Sequence, residues 1–216
     1  MSKKTEALIR KMFVKKRTDY IPPMKLVYFH GFGSSAASRT ILTLKERLQD
    51  FEIIAPDIPV DPAVALPFLK ELCRKEQPDV IVGTSMGGMY AQQMFGFNRI
   101  CVNPAFFMSE KSQVLKVGTF EYLNPRQDGQ MLFTITDDII HHFIEIEEHQ
   151  FDGITPSEQK RVWGMFGIHD TLVNCEDTFH QHYHHVIHFD GEHRLDDTTI
   201  NEVLIPLIRQ VAKATK

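Results

Sequence analysis

The chain of 216 residues has little cysteine, no long apolar run and no excess of positive charge. Its three cysteines, Cys73, Cys101 and Cys175, are far apart and form no C-x-x-C pair, which argues against a disulfide scaffold and fits a reducing compartment. The N-terminus lacks the apolar stretch of a signal peptide, and no later run reaches the length of a membrane span. The net charge of −4 gives no reason to expect a nucleic-acid partner. These absences predict a cytoplasmic protein without stable membrane insertion.

Short apolar runs alternate with segments whose apolar residues have helical spacing, such as 41–48 and 64–72. This alternation predicts an α/β fold with a parallel sheet of about six strands. Because the runs are apolar throughout, helices are expected on both faces of the sheet. A last helix is expected over about 197–213, with Pro206 as a potential kink. The predicted strands cover about 25–30, 51–57, 79–84, 99–103, 161–167 and 185–190.

The predicted organisation is one domain over residues 25–216, preceded by a basic segment at 1–24. This segment is interpreted as a solvated helix or arm, with contact to an anionic surface as the alternative. Within the domain, residues 104–160 are too many for a simple crossover, and they predict a lid-like insertion. Residues 135–149 of this insertion have the spacing of an amphipathic helix.

The segment Gly83 to Gly88 reads Gly-Thr-Ser-Met-Gly-Gly and directly follows the apolar run 80–82. A serine with glycines at −2 and +2, at the end of a buried strand, is typical of a nucleophile elbow, because the glycines let a sharp strand-to-helix turn close. The alternative is a glycine-rich turn in which Ser85 is incidental. The motif is common enough by chance that its partners must decide between the two.

The chain supplies such partners in the order of an α/β-hydrolase, which is serine, acid, histidine. Asp170 follows the apolar run 162–167, and His193 lies in a loop after the short strand pattern 186–191. Triad chemistry then predicts that Ser85 attacks the substrate, that His193 takes and returns its proton, and that Asp170 orients the imidazole.

Acyl transfer also needs hydrogen-bond donors for the negative oxygen that forms in its transition state. The backbone N–H groups of Met86, at the start of a predicted helix, and of Phe32, after the first strand, are the candidates. The neighbouring Ser34 and Ser35 are expected to cap the next helix.

Taken together, these segments resemble the YqiA-type small esterases of the α/β-hydrolase superfamily, over roughly residues 25–208. The resemblance implies a compact cytoplasmic hydrolase of carboxylic esters, acting on short acyl esters and acyl thioesters. Two features depart from it: residues 1–24 precede the family's usual start, and His169 is an unusual neighbour of Asp170. The resemblance rests on His30 to Ser35, Gly83 to Gly88, Val102 to Ala105, Leu123 to Pro125, Asp170 and the loop Gly191 to His193.

The sequence thus predicts a serine hydrolase of small-molecule acyl esters or thioesters that needs no cofactor and no metal. Hydrolysis of a carbon–carbon or amide bond by the same triad, and a non-catalytic ligand-binding relative, are the alternatives. Phe106, Phe107 and Met108 are expected either to line the acyl pocket or to pack in the core. The five histidines between His180 and His188 are interpreted as structural, with a metal site as the alternative. The sequence leaves the oligomeric state open.

Overall fold

A computed structural model describes residues 22–214 and, within them, a six-stranded parallel sheet in the order β2-β1-β3-β4-β7-β8. A separate antiparallel hairpin pairs β5 with β6. The strands are β1 (Met24–Phe29), β2 (Phe51–Ile54), β3 (Val80–Thr84), β4 (Arg99–Val102), β5 (Gly118–Glu121), β6 (Leu132–Ile135), β7 (Val162–Gly167) and β8 (His185–Phe189). The helices are α1 (Arg39–Arg47), α2 (Pro62–Glu76), α3 (Met86–Gln92), α4 (Asp137–His149), α5 (Pro156–Gln159), α6 (Glu176–His182), α7 (Asp197–Thr199) and α8 (Ile205–Lys213).

The sheet forms because its central strands are apolar on both faces, and successive residues point to opposite sides. Leu26 and Val80 belong to a core cluster with residues of α1 and α8, whereas Val27 and Ile81 belong to a second cluster with residues of α2, α3 and the insertion. The six sheet strands overlap the six predicted segments, and differ from them by a few residues at the ends. Helices therefore cover both faces, as predicted.

The insertion between β4 and β7 has more structure than the sequence predicted. It contains α4, which matches the expected amphipathic helix, but also the hairpin of β5 and β6, which was not predicted. The last helix spans the predicted residues 197–213, but a π-helical turn, Ile200–Leu204, separates α7 from α8. Ile205 N–H donates to the carbonyl of Ile200 in that turn, directly before Pro206, which has no N–H to donate.

Parallel strands end at the same edge of the sheet, so the loops after β1, β3, β4, β7 and β8 meet there. These loops contain the residues predicted for the triad and Phe32, and Met86, the other predicted oxyanion donor, is the first residue of α3 directly after Ser85.

No helix in the described part of the chain combines the length and apolar character that a membrane span requires. Residues 1–21 of the predicted basic segment lie outside the described residues.

Candidate active site

Ser85 lies in the sharp turn between β3 and α3, with backbone angles of φ 56° and ψ −122°. Residues other than glycine rarely adopt a positive φ, so the backbone of this turn is strained and the surrounding structure must hold it in place. A Cβ on Gly83 would lie 2.1 Å from the carbonyl oxygen of Gly87, and a Cβ on Gly87 would lie 2.1 Å from that of Phe29. The two glycines are therefore required by close backbone contacts, as the motif predicts.

His193 stands between Ser85 and Asp170 and is bonded to both. Its Nδ1 lies 2.7 Å from Asp170 Oδ2, and its Nε2 lies 3.0 Å from Ser85 Oγ. Since a carboxylate only accepts, Nδ1–H donates to Asp170, which leaves Nε2 to accept from the Ser85 hydroxyl. The side chains of Asp170 and His193 are 4% and 15% exposed. The three residues predicted from the sequence thus form one continuous chain of hydrogen bonds.

The other carboxylate oxygen of Asp170 is held by its own loop. Oδ1 accepts from the backbone N–H groups of Leu172, at 2.8 Å, and Val173, at 3.0 Å. This turn fixes the carboxylate so that Oδ2 faces His193. The unusual neighbour His169 points elsewhere, because its Nε2 pairs with the exposed Asp190 at 2.9 Å.

The loop after β1 approaches Ser85 closely. A Cβ on Gly31 would lie 3.3 Å from Ser85 Cβ and 3.9 Å from Ser85 Oγ. Phe32 follows directly, and Met86 is the first residue of α3. Within the described residues, neither of these two backbone N–H groups has a hydrogen-bond acceptor. Both are therefore available beside the serine.

His30 holds this loop from inside, a role that the sequence reasoning missed. The ring is 2% exposed, its Nδ1–H donates to the carbonyl of Gly31 at 2.8 Å, and its Nε2 accepts from Ile58 N–H at 3.0 Å. Burial lowers the pKa of His30 to about 4, so the ring is neutral, as both bonds require. Its place in the His-Gly motif was the available signal, but no sequence pattern points to Ile58.

The hairpin of the insertion is docked on the same loop. Leu123 N–H donates to the carbonyl of Gly33 at 2.8 Å, and the ring of Phe133 packs edge-on against Phe32 with centroids 5.5 Å apart. The insertion therefore contacts Phe32, whose backbone N–H is one of the two candidate oxyanion donors.

The prediction that Ser34 and Ser35 cap the next helix is wrong. Ser34 Oγ accepts from Asn124 at 3.0 Å, and Ser35 Oγ donates to the carbonyl of Pro125 at 2.7 Å. The N-cap position of α1 is occupied by Ser38 instead, without a side-chain capping bond. Both serines bind the segment after β5, far along the chain, which a local capping preference cannot anticipate.

Comparison with known families agrees with this architecture. A family model described as Uncharacterised protein family (UPF0227) matches residues 25–208. The chain belongs to this family. UPF0227 is the family of the YqiA-type proteins, so the resemblance seen in the sequence is confirmed. A comparison with curated proteins gave no match.

Solved structures confirm the α/β-hydrolase fold for this UPF0227 member. Est1E from Butyrivibrio proteoclasticus matches with a TM-score of 0.61 and 18% identity, over 92% of this chain and 89% of Est1E. Alpha/beta hydrolase domain-containing protein 10 from mouse matches with a TM-score of 0.63 and 14% identity, over 89% and 90% of the two chains. Est1E with ferulic acid bound matches with a TM-score of 0.58 and 15% identity, over 91% and 90%. At such identities the likeness shows the fold and leaves the substrate open.

The three residues predicted to line an acyl pocket differ in burial. Phe106 and Met108 are 0% and 3% exposed and belong to the core, where Phe106 packs edge-on against Phe151. Phe107 is half-buried and packs at the margin of the same cluster. A substrate contact by Phe106, Phe107 or Met108 stays a prediction.

Of the histidines between His180 and His188, two lie in α6, two lie in β8, and His184 lies in the connection between them. Most have their own partners. His182 stacks on Phe151 at 4.0 Å, and His188 pairs with Glu176 at 2.7 Å, an oxygen that also lies 3.4 Å from His180. In the described part of the chain, no group of three or more His, Cys, Asp or Glu is arranged to hold a metal ion.

The cysteines are poor alternative nucleophiles. Cys73, Cys101 and Cys175 are free and buried, and burial raises the pKa of Cys73 and of Cys101 to about 12. Their thiols therefore stay protonated at neutral pH, and a thiol is a much weaker nucleophile than a thiolate.

Proposed function

We propose that this UPF0227 member is a serine hydrolase that cleaves carboxylic esters or thioesters with small to medium acyl groups through an acyl-enzyme on Ser85. The observation that carries the proposal is the bonded chain from Asp170 through His193 to a serine on a strained, glycine-bounded turn. The strain supports catalysis over a purely binding role, because a binding protein has no need of it. Family membership and the fold of the structural neighbours agree with a hydrolase.

In the proposed reaction, Ser85 Oγ forms a bond to the acyl carbon while its proton passes to His193 Nε2. The carbonyl oxygen becomes negative and accepts from the N–H groups of Phe32 and Met86, while Asp170 stabilises the imidazolium. The tetrahedral intermediate then breaks its bond to the alcohol or thiol, which leaves with the proton from His193. Water repeats the sequence, releases the carboxylic acid and restores Ser85.

A carbon–carbon or amide bond remains the alternative substrate, since a triad does not fix the bond that is cleaved. A cytoplasmic location also remains a prediction. A panel of chromogenic esters of increasing acyl length, assayed beside acyl thioesters and an amide, distinguishes these bond types. Turnover of the amide alone would contradict the ester proposal.

Labelling of the full chain with a fluorophosphonate probe tests the nucleophile. We expect the adduct on the peptide that contains Ser85, and its loss in Ser85→Ala. Ser34→Ala is the matched control, because Ser34 lies in the neighbouring loop and bonds to Asn124 rather than to His193. Labelling that persists in Ser85→Ala would overturn the proposal.

Two histidine variants test the base. His193→Ala is expected to lower kcat by at least about 10⁴-fold, because removal of a triad base has an effect of this order or larger. His188→Ala should retain turnover within about twofold, since His188 is half-exposed and pairs with Glu176. Steady-state kinetics at equal folded fraction measure both, and an equal loss in the two variants would contradict the assignment.

A further inference from the structure

Asn103, the first residue after β4, joins the loops that carry Asp170 and His193. Its Oδ1 accepts from Gly167 N–H at 2.8 Å, at the start of the Asp170 loop. Its Nδ2 donates to two carbonyl oxygens of the histidine loop, those of Glu192 and His193, both at 3.1 Å. The residue is 2% exposed, so water does not substitute for these bonds. The side-chain amide of Asn103 therefore holds the main chain of both the Asp170 loop and the His193 loop.

The backbone of Asn103 is tied to the nucleophile as well. Its N–H donates to Met165 O at 2.9 Å, and the residue before it, Val102, accepts from Ser85 N–H at 2.9 Å. Two residues later, Ala105 N–H donates to Ser85 O at 3.0 Å. Asn103 thus belongs to the segment whose backbone is hydrogen-bonded to Ser85. Its side chain connects this segment to the backbone of His193.

The conformation and the chemistry both restrict this position. Asn103 has φ 42°, in the left-handed region, which asparagine tolerates better than most residues. The two loops touch, since a Cβ on Gly167 would lie 2.6 Å and 2.7 Å from the carbonyl oxygens of Gly191 and Glu192. Buried groups in such a contact need a partner that both donates and accepts, and the asparagine amide does so.

We propose that Asn103 is a positioning residue of the catalytic site, an inference that rests on the proposed function. Its side chain is hydrogen-bonded to backbone atoms and not to the serine hydroxyl or the imidazole, and it acts through the main chain of His193. By holding that main chain against the β4 segment bound to Ser85, it keeps His193 Nε2 within hydrogen-bond distance of Ser85 Oγ. Its loss should slow the chemical step and leave substrate binding largely unchanged.

Asn103→Asp tests this directly, because aspartate keeps the shape, the tolerance of positive φ and the acceptor for Gly167. It replaces the two N–H donors by an oxygen that faces two carbonyl oxygens. Asn98→Asp is the matched control: Asn98 precedes β4 at the opposite edge of the sheet, is 6% exposed, and donates to Val211 O at 3.3 Å. Both variants introduce the same buried carboxylate, and only one faces the triad.

At equal folded fraction, Asn103→Asp should lower kcat by about 10- to 100-fold with KM within about twofold, the effect expected of a displaced catalytic group. The Ser85 labelling rate should fall in parallel. The downfield proton resonance of the His193 and Asp170 hydrogen bond should broaden or disappear. Asn98→Asp should keep kcat and this resonance.

If Asn103→Asp does not fold, Asn103→Gly takes its place, since glycine relieves the positive φ, adds no charge and removes all three side-chain bonds. The inference is overturned if the variant that folds keeps kcat within twofold of wild type, or if Asn98→Asp loses as much. An absence of Ser85 labelling in the wild-type protein would instead overturn the proposed function. The two failures are therefore distinguishable.

Discussion

His30 is a buried histidine whose proton count differs between the folded and the unfolded chain. Burial lowers its pKa to about 4 and outweighs the bond to Gly31 and the nearby Asp57, both of which raise the pKa. Arg126 lowers it further. An unfolded histidine titrates near 6.5, so the unfolded chain binds more protons between these two values.

Stability should therefore be constant above about pH 6.5 as far as His30 is concerned, and should fall as the pH decreases towards 4. The whole contribution of His30 to the free energy of unfolding, lost between about pH 6.5 and pH 4, is about 3 kcal/mol. Urea unfolding from pH 4 to pH 8 measures it. His30→Gln, whose amide oxygen can accept from Ile58, should show a correspondingly smaller loss of stability on acidification. Identical profiles for the two proteins would show that His30 is not held neutral.

The sequence predicted those site residues whose signal is local. Ser85 is marked by adjacent glycines, and Asp170 and His193 by their positions after apolar runs. The bonds of His30 and Asn103 could not be predicted in this way, because Ile58 is 28 residues away and His193 is 90 residues away. A polar side chain in a loop carries no mark of the distant backbone group that it will bind.

Among the elements, the hairpin of β5 and β6 was the main one that the sequence did not reveal. Each strand has four residues, of which every second one is exposed, and such an alternating pattern is too short to distinguish from a loop. The longer α4 was predicted because its apolar spacing extends over 13 residues. Strong patterns belong to elements that bury a whole face, and the hairpin buries little beyond Phe133 and Ile135.

Phe107, near the start of the insertion, gives a test of substrate selection. If its ring lines the acyl pocket, Phe107→Ala should enlarge the pocket and shift preference towards longer acyl chains, by at most about 0.8 kcal/mol for each additional buried methylene. The kcat for the shortest ester should fall less than tenfold, because Ser85 and the oxyanion donors are untouched. Chain-length profiles of kcat/KM measure the shift.

Phe179→Leu is the control, since Phe179 is fully buried, packs against Phe166 and is not among the residues predicted to line the pocket. It should lower stability and leave the chain-length profile unchanged. A profile that decreases uniformly for every ester in Phe107→Ala would show that Phe107 supports the fold and does not select the substrate.

Across the whole molecule, the carboxyl edge of the sheet, where its strands end, and the amino edge, where they begin, hold different groups. The triad lies at the carboxyl edge, whereas Arg99, the first residue of β4, is fully buried at the amino edge and pairs with Glu158. Asn103 and Arg99 are four strand residues apart, or roughly 13 Å. Effects at the two positions should therefore be nearly independent.

Glu158→Gln should lower the free energy of unfolding by about 3 kcal/mol, because it leaves the buried guanidinium of Arg99 without its counter-charge. The kcat/KM of the folded protein should be unchanged. Urea unfolding and ester kinetics measure the two quantities. Glu71→Gln, in an exposed pair with Arg74, is the control and should change neither appreciably. A large loss of kcat/KM in Glu158→Gln would show that the two edges are coupled.

The order of strands in the sheet also determines when the site comes into existence during synthesis. After β1 and β2, the later strands of the sheet are added in the order of translation. Each of them, β3, β4, β7 and then β8, pairs with the strand added before it on the same side of the sheet, beginning with β1. Ser85 is present once β3 has emerged, whereas His193 follows β8. If Ser85 is the nucleophile and His193 the base, as proposed, a nascent chain carries the nucleophile before the base that activates it, and a serine alone is weakly reactive. On this proposal Ser85 becomes reactive only when β8 has docked, and an incomplete chain has no activated nucleophile.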